Sequence, residues 1–207
     1  QCYVLFSGDL GFGEKMLPAA DKILKAFCIK DDLVIKEDKA ECWHFYEWSD
    51  GLDGGFSPVD SVLNFYYIMA CESYNEILKY LGRKAEYDTK PVKKKVYEKF
   101  FNKETGLFRT TPESSVYHEL TQALAILSGC IDRDPLSSKL MDKNNGLVKT
   151  TLSTSVYKYD ALLLGDNKYL DFVTDDIAET WGKMIYSGAG TLWETAVGAD
   201  DFAKAGS

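Results

Sequence analysis

The sequence predicts an all-α fold in which helices pair as antiparallel hairpins and stack in two layers. Three observations lead to this prediction. Apolar residues recur at helical spacing over most of the chain, and glycines follow the ends of the apolar runs. A unit of link and helix also repeats with an offset of 40 residues, starting at Gly106 and again at Gly146. Strands are expected only as short pieces.

Two helices are predicted at the start of the chain. The first is the apolar run over residues 2–6, which stops at Gly8. The second covers residues 12–29, where apolar side chains share one face and charged side chains share the other. Residues 33–36 form a short run, Leu-Val-Ile-Lys, that is too short for more than one arm of a hairpin.

A long buried helix is predicted over residues 57–81, because its apolar residues lie on nearly all sides. Ser57 is the expected amino-terminal cap and Pro58 the first helical residue. Asn64 interrupts the apolar surface; it either faces a pocket or is a hydrogen-bonded polar group in the core, and we expect the second. Residues 90–101 carry an apolar stripe opposite a run of lysines, which predicts a solvated outer helix.

The repeated unit begins with a G-L-x-basic-T-T segment. We call residues 106–111 the first link and residues 146–151 the second link. An inner helix is predicted after each, over residues 113–128 and 153–164, with a glycine behind both. Outer helices are then expected to begin at Asp134 and at Asp166, which are good caps.

Repeated hairpins with inner and outer layers predict an α/α toroid, in which the links at one end of the inner helices border a pocket. The threonines of both links and His118 are therefore expected near its rim. A lone histidine on a helix is more often structural than functional. Neither His118 nor His44 has metal-ligand spacing with another histidine or cysteine.

Composition excludes several classes of function. The net charge of −8 argues against a nucleic-acid or anionic-membrane surface, and no long uncharged apolar run predicts a membrane span. The five cysteines are scattered without C-x-x-C spacing, so neither a metal site nor a disulfide framework is expected, and no cofactor is expected either. The 207 residues predict a single domain, cut from a longer protein whose compartment this stretch does not reveal.

Residues 41–56 mix aromatic, acidic and glycine residues without helical or strand periodicity. Such a segment is typical of a binding loop. Trp43, Trp48 and Asp50 are candidate sugar-binding residues, because indole rings offer a flat apolar surface and a carboxylate accepts hydrogen bonds from hydroxyls. The alternative is a surface loop that packs its own rings.

The segment Gly188-Ala-Gly-Thr-Leu-Trp-Glu194 places an indole beside a carboxylate after two glycines. A sugar site uses that combination, since the ring contacts the sugar and the carboxylate moves a proton. Trp193 is the candidate binding residue and Glu194 the candidate catalytic residue. The spacing also fits a capping box, in which Thr191 caps a helix and Glu194 completes the pair.

The stretch WGKMIYSGAGTLWE, which ends at Glu194, resembles the late-barrel segment of the α-L-rhamnosidases of glycoside hydrolase family 78. Residues 3–24, the Glu47-Trp48 loop and the two links are also similar to that family, in the family's order. Glu47 and Gly190 depart from its pattern, which has an aspartate and commonly a threonine there.

This resemblance implies about four hairpins of an incomplete (α/α)6 toroid, the six-hairpin glycosidase fold. It implies inverting hydrolysis of terminal α-L-rhamnosides, with Glu194 as the general base. It also implies that the general acid precedes Gln1 and that a sugar-contacting histidine follows Ser207, so this piece alone is expected to be inactive.

Two further functions fit the residues. One is a carbohydrate-binding protein without catalysis, which would keep the rings and lose the acid and base. The other is a helical-repeat scaffold that binds a peptide on its concave face. The expected partner is a rhamnose-containing glycan or glycoside, and self-association through exposed barrel edges is a further possibility.

Overall fold

Eight helices and four short strands make up the part of the chain that the computed structural model describes, residues 1–37, 43–193 and 195. The helices are α1 (Cys2–Ser7), α2 (Leu10–Lys25), α3 (Ser61–Tyr80), α4 (Lys90–Phe100), α5 (Glu119–Leu127), α6 (Asp134–Met141), α7 (Ser155–Leu162) and α8 (Leu170–Tyr186). The strands are β1 (Cys28–Lys30), β2 (Leu33–Ile35), β3 (Phe101–Asn102) and β4 (Leu107–Phe108). The strands form two short antiparallel pairs, β1–β2 and β3–β4. Helices dominate the described residues, so the predicted helical class is confirmed.

The helices pack in a row, and we call α3, α5 and α7 the inner helices. Helix α5 packs against α3 on one side and against α7 on the other. The next helix along the chain packs on each of these three, α4 on α3, α6 on α5 and α8 on α7, while α2 packs on α3. Helix α5 is the most enclosed, with residues 119–126 all buried.

Two apolar clusters fill the interior, one around α2, α3 and α4 and the other around α6, α7 and α8. Ile131 and Tyr157 pack against both, so the two clusters adjoin. Large apolar side chains such as Phe6 and Tyr186 are exposed on α1 and α8, the elements at the two ends of this row of helices. No helix among the described residues is long and apolar enough to cross a membrane.

Helix α2 ends at Lys25, earlier than predicted, because the chain turns into the β1–β2 hairpin. Asp31 and Asp32 form its two-residue turn with φ angles of 51° and 61°. Two consecutive positive φ angles match the twist of the flanking strands, and aspartate tolerates this conformation better than most residues.

The cap predicted at Ser57 for α3 is wrong. The cap is Asp60, whose Oδ1 accepts a hydrogen bond of 2.8 Å from the backbone N–H of Leu63. The backbone N–H of Lys36 donates to the carbonyl of Pro58, so residues 57–60 are tied to the chain beyond β2 and are not helical. Asn64 lies in the core and bonds to both the N–H and the carbonyl of Val34, as expected for a hydrogen-bonded buried amide.

Helix α5 begins at Glu119, six residues later than predicted. The cause is a parallel bridge to the second link, in which the N–H of Val148 donates to the carbonyl of Tyr117 and the N–H of Glu119 donates to the carbonyl of Val148. Helix α8 also starts late, at Leu170, because the Asp166 carboxylate accepts from the N–H of Lys168 and pairs with Arg133 at 2.7 Å. The starts of α6 and α7 agree with prediction within two residues.

Candidate functional site

Residues 43–56, which we call the aromatic loop, form an irregular loop as predicted, apart from an isolated bridge between Phe45 and Asp53. The buried residue Leu52 organises its centre. The carbonyl of Leu52 accepts from the N–H groups of Tyr46 and Glu47, and its own N–H donates to the carbonyl of Ser49. The prediction that this stretch is a loop is therefore correct for its described residues.

The aromatic loop crosses the amino-terminal ends of the three inner helices and bonds to the cap position of each. The cap residues of α3, α5 and α7 are Asp60, His118 and Thr154. The three hydrogen-bonded pairs are Tyr46 with Asp60 at 2.8 Å, the carbonyl of Asp50 with His118 at 2.7 Å, and Glu47 with Thr154. This arrangement fixes the loop over one end of the inner layer.

The amino-terminal ends of the inner helices provide a favourable environment for two buried carboxylates, those of Glu47 and Asp60. Helix amino termini carry partial positive charge, which stabilises carboxylates there. Asp60 also forms a buried ion pair with Lys36 at 2.6 Å. Burial, followed by the neighbouring Asp60, raises the pKa of Tyr46 far above its usual value, so its phenol stays protonated and donates to that carboxylate.

Three rings of the aromatic loop, Trp43, Phe45 and Trp48, contact one another and form what we call the ring cluster. Their centroids lie 4.6 to 5.7 Å apart, from the Trp43–Phe45 pair to the Trp43–Trp48 pair. Both indoles are 64% exposed, so the cluster presents apolar ring surface to solvent instead of filling a core. Exposed rings of this kind are suited to contact a ligand.

Gly54 is required for the position of Trp43. Its φ angle is +128°, and a Cβ at this position would overlap the Trp43 indole. The indole N–H also donates to the carbonyl of Asp53 at 3.3 Å. Glycine thus lets the backbone pass directly against the ring.

A cleft of about 320 Å³ lies beside the aromatic loop. Asp50 and Gly51 line one side, and the first link with the non-helical residues after it lines the other, including Thr110, Thr111 and His118. The structure therefore brings together Asp50 and three of the residues predicted near the rim. Because residues 112–118 are not helical, they are free to form this wall.

His118 has a structural environment. Its Nδ1 lies 2.9 Å from the Thr110 hydroxyl and its Nε2 bonds to the carbonyl of Asp50, so both ring nitrogens have partners. The side chain is buried beneath the cleft. No cluster of three or more potential metal ligands occurs within the described ranges.

The carboxylate of Glu47 is the site feature that sequence reasoning missed. It is only 2% exposed and reaches the second link, where it accepts hydrogen bonds from the N–H and hydroxyl of Thr151. The sequence offered two signals, an acid beside Trp48 and a threonine pair in each link. Their contact cannot be recognised from the sequence, because Glu47 and Thr151 are 104 positions apart.

The second predicted site segment is only partly described. Glu194 lies outside the described residues, so its role and its distance from the aromatic loop remain predictions. Trp193 is half-buried, and its backbone N–H lies 3.4 Å from the sulfur of Met184 on α8. Residues 187–193 follow α8 as turns and bends, and Thr191 begins no helix within them.

The fold is similar to two solved rhamnosidases. One is a GH78 family rhamnosidase of Bacillus sp. GL1, with a TM-score of 0.78 and 18% identity over 91% of this chain and 21% of that chain. The other is a rhamnosidase from Klebsiella oxytoca with rhamnose bound, with a TM-score of 0.71 and 15% identity over 93% of this chain and 38% of that chain.

No family model and no curated protein matches the sequence. The chain spans about a fifth of the Bacillus enzyme and under two fifths of the Klebsiella enzyme. At these identities the likeness concerns the fold alone. The resemblance predicted from the sequence motifs is confirmed at that level: over most of its length, this chain has the fold of the matching part of known rhamnosidases.

Proposed function

We propose that this chain is part of a glycoside hydrolase that releases terminal α-L-rhamnose from glycosides with inversion. The observation that carries the proposal is the exposed ring cluster, on a loop that is hydrogen-bonded over the amino ends of the inner helices in a fold shared with rhamnosidases. The sequence motif that ends at Glu194 adds the carboxylate that hydrolysis requires.

The chain would supply about four hairpins of an (α/α)6 toroid, with α3, α5 and α7 in the inner layer. The exposed apolar side chains of α1 and α8 support this proposal, because further hairpins or a second copy of the chain would cover them. The cleft beside Asp50 would then open into the central pocket.

Trp48, Trp43 and Asp50 would bind the sugar from the aromatic loop, and Trp193 from the segment after α8. Indole faces would contact the apolar surface of the rhamnose ring, including its methyl group, while Asp50 would accept hydrogen bonds from hydroxyls. Replacing Trp48 by alanine should weaken sugar binding by about 1–3 kcal/mol. An unchanged affinity would assign Trp48 to packing within the loop.

Glu194 would act as the general base. In inverting glycosidases one carboxylate activates a water on the face opposite the leaving group, and a carboxylic acid protonates the leaving oxygen. The two carboxyl groups lie roughly 6.5–9.5 Å apart to leave room for that water. The resemblance implies that the acid comes from a segment before Gln1. The rate of hydrolysis by the 207-residue chain alone should therefore be lower than that of the full-length protein by roughly a hundredfold or more.

The test is Glu194→Gln in the full-length protein with an aryl α-L-rhamnoside. Glutamine keeps the size of the side chain and can still form hydrogen bonds, but it accepts no proton, so kcat should fall by about 10² to 10⁴ with substrate binding retained. Glu98→Gln, at a half-exposed position on α4, serves as a matched control and should leave kcat unchanged. Proton NMR of the first product should show the inverted anomer in the unmodified enzyme.

Two results would redirect the assignment. If Glu194→Gln keeps kcat but loses stability, Glu194 has a structural role and is not the base. If the unmodified full-length protein binds rhamnosides but does not hydrolyse them, the protein is a carbohydrate-binding module. The exposed ring cluster alone is compatible with that second function, because binding needs the rings and not the base.

A further inference from the structure

The carboxylate of Glu47 joins the aromatic loop to the second link. Its Oε2 accepts from the N–H and hydroxyl of Thr151, both at 3.1 Å, and from the hydroxyl of Thr154. Its Oε1 accepts from the hydroxyl of Ser49 at 2.7 Å, within the loop itself. Four donors thus surround one buried acid, one from the loop and three from the start of α7 and the residues before it.

This burial excludes Glu47 from direct contact with a substrate. The next residue has the opposite environment, because Glu47 is 2% exposed and Trp48 is 64% exposed. The two residues share one planar peptide unit, so anchoring the first restrains the orientation of the second. Fixing the carboxylate of Glu47 to α7 therefore also fixes the direction in which the backbone presents the Trp48 ring.

We propose that Glu47 is a positioning residue for sugar binding, which holds the ring cluster in place by anchoring the loop to Thr151 and Thr154. The proposal rests on the proposed function, since it assigns the ring cluster to the sugar. Glu47 makes no contact with the reacting atoms. It acts through Trp48, so its loss should raise KM more than it lowers kcat.

Glu119 provides a matched control. It is also a buried acid that bonds to the second link, through the N–H of Thr150 and the ammonium of Lys149. Its partners among the described residues lie outside the aromatic loop, at positions 145, 149, 150 and 158. A role in stabilising the link alone predicts the same kinetic effect from both acids, whereas positioning predicts an effect on KM from Glu47 only.

The experiment compares Glu47→Gln, Glu47→Asp and Glu119→Gln in the full-length protein, with an aryl α-L-rhamnoside as substrate. Glu47→Gln should raise KM about tenfold and lower kcat less than threefold, because glutamine offers one acceptor oxygen where two are used. Glu47→Asp keeps the charge and both oxygens and should recover most of the loss. Glu119→Gln should leave KM within about twofold of the original value.

Hydrogen exchange measured by mass spectrometry tests the same proposal without turnover. Glu47→Gln should speed exchange of the amides in residues 43–56, and Glu119→Gln should not. If the unmodified protein has no rhamnosidase activity, the proposed function fails, and this measurement still decides whether Glu47 fixes the loop. Equal changes in KM for the two glutamine variants, or unchanged exchange in Glu47→Gln, would overturn the positioning role.

A second variant covers the case in which Glu47→Gln does not fold. Thr154→Val keeps the carboxylate and the shape of the side chain but removes one donor hydroxyl. It should raise KM by about threefold, in the same direction as Glu47→Gln, with a smaller rise in loop exchange. Unchanged KM and unchanged exchange in a folded Thr154→Val protein would contradict the proposal.

Discussion

The first and second links share one sequence pattern, yet different side chains hold them in place. The first link is bonded by its own inner helix, α5, and by Ser61 of α3, whose N–H and hydroxyl donate to the carbonyl of Thr110. The amide of Gln122 bonds to both the N–H and the carbonyl of Phe108 at 2.8 Å, and the hydroxyl of Thr121 lies 2.9 Å from that of Thr110. All of these groups are neutral and buried.

The second link lacks the equivalent partners on its own helix, α7. With the repeat offset of 40 residues, Ala161 and Leu162 occupy the positions of Thr121 and Gln122. The bonds come instead from neighbouring elements, through Glu119 of the preceding inner helix and Glu47 of the aromatic loop. Carboxylates thus replace an amide and a hydroxyl.

The two links are also coupled differently to the candidate site. The first link reaches the aromatic loop through His118, whose ring bonds to Thr110 and to the carbonyl of Asp50. The second link bonds directly to a side chain of that loop, the carboxylate of Glu47, while Glu119 bonds to it from outside the loop. We therefore expect loss of the bonds from Glu47 to affect both stability and sugar binding, and substitution of Glu119 or of the groups around the first link to affect mainly stability.

The largest effect is expected from Glu119→Ala. Lys158 is buried and pairs with Glu119 at 3.3 Å, and the substitution would leave its charge without that partner. Breaking a buried ion pair on one side costs about 3–5 kcal/mol of unfolding free energy. Urea denaturation measures this loss.

Lys149→Ala is the control for that measurement, because its side chain is 49% exposed and also pairs with Glu119. An exposed partner should contribute at most about 1 kcal/mol. Similar losses for Glu119→Ala and Lys149→Ala would mean that the second link does not depend on the buried charge.

A smaller effect is expected from Gln122→Leu, which places the residue of the second repeat into the first. The N–H and carbonyl of Phe108 would lose their amide partner inside the core. Unsatisfied buried groups cost about 1–3 kcal/mol each, and gained apolar packing offsets part of this, so we expect a loss of about 2–3 kcal/mol. KM for the rhamnoside should stay unchanged, in contrast with Glu47→Gln.

If Gln122→Leu costs under about 0.5 kcal/mol, the amide does not hold the first link and the contrast between the links fails. A shift in KM as large as that of Glu47→Gln would also contradict it, because it would couple both links to the sugar. Leu162→Gln provides the reciprocal comparison. It should destabilise as well, because α7 offers that buried amide no matching partner on the second link.

Local patterns in the sequence predicted which segments are helical and in what order, and they predicted the repeat. Periodicity, glycines and caps depend on a few neighbouring residues, so they can be recognised without knowledge of the fold. The start of α5 was predicted wrongly because its first turn is replaced by pairing with Val148, about 30 positions further along. The cap of α3 was misplaced for a similar reason, since Lys36 bonds to Pro58.

The same distinction between local signals and contacts distant in sequence applies to the candidate site. The aromatic loop was predicted from its composition, and its wide coverage of the helix caps was not, because each of its bonds joins residues that are distant in sequence. Glu47 was identified only as a departure from a family pattern. The role of a buried carboxylate can be assigned only when its hydrogen-bond donors are known. Three of the four donors to Glu47 lie on another hairpin.

The smallest effect is expected from Thr121→Ala, which converts the first repeat to the residue found at position 161. The hydroxyl of Thr110 would lose one partner, but it would keep its contact with Nδ1 of His118 at 2.9 Å. One net hydrogen bond contributes about 1 kcal/mol. A double-mutant cycle with Thr110→Val isolates the pair, because both single variants remove the same bond, and it should give a coupling of about 0.5–1.5 kcal/mol. A coupling near zero would mean that this hydroxyl pair does not help to hold the first link. A coupling above about 3 kcal/mol would mean that removing both hydroxyls also displaces His118, and with it the aromatic loop at Asp50, which would remove the contrast with the second link.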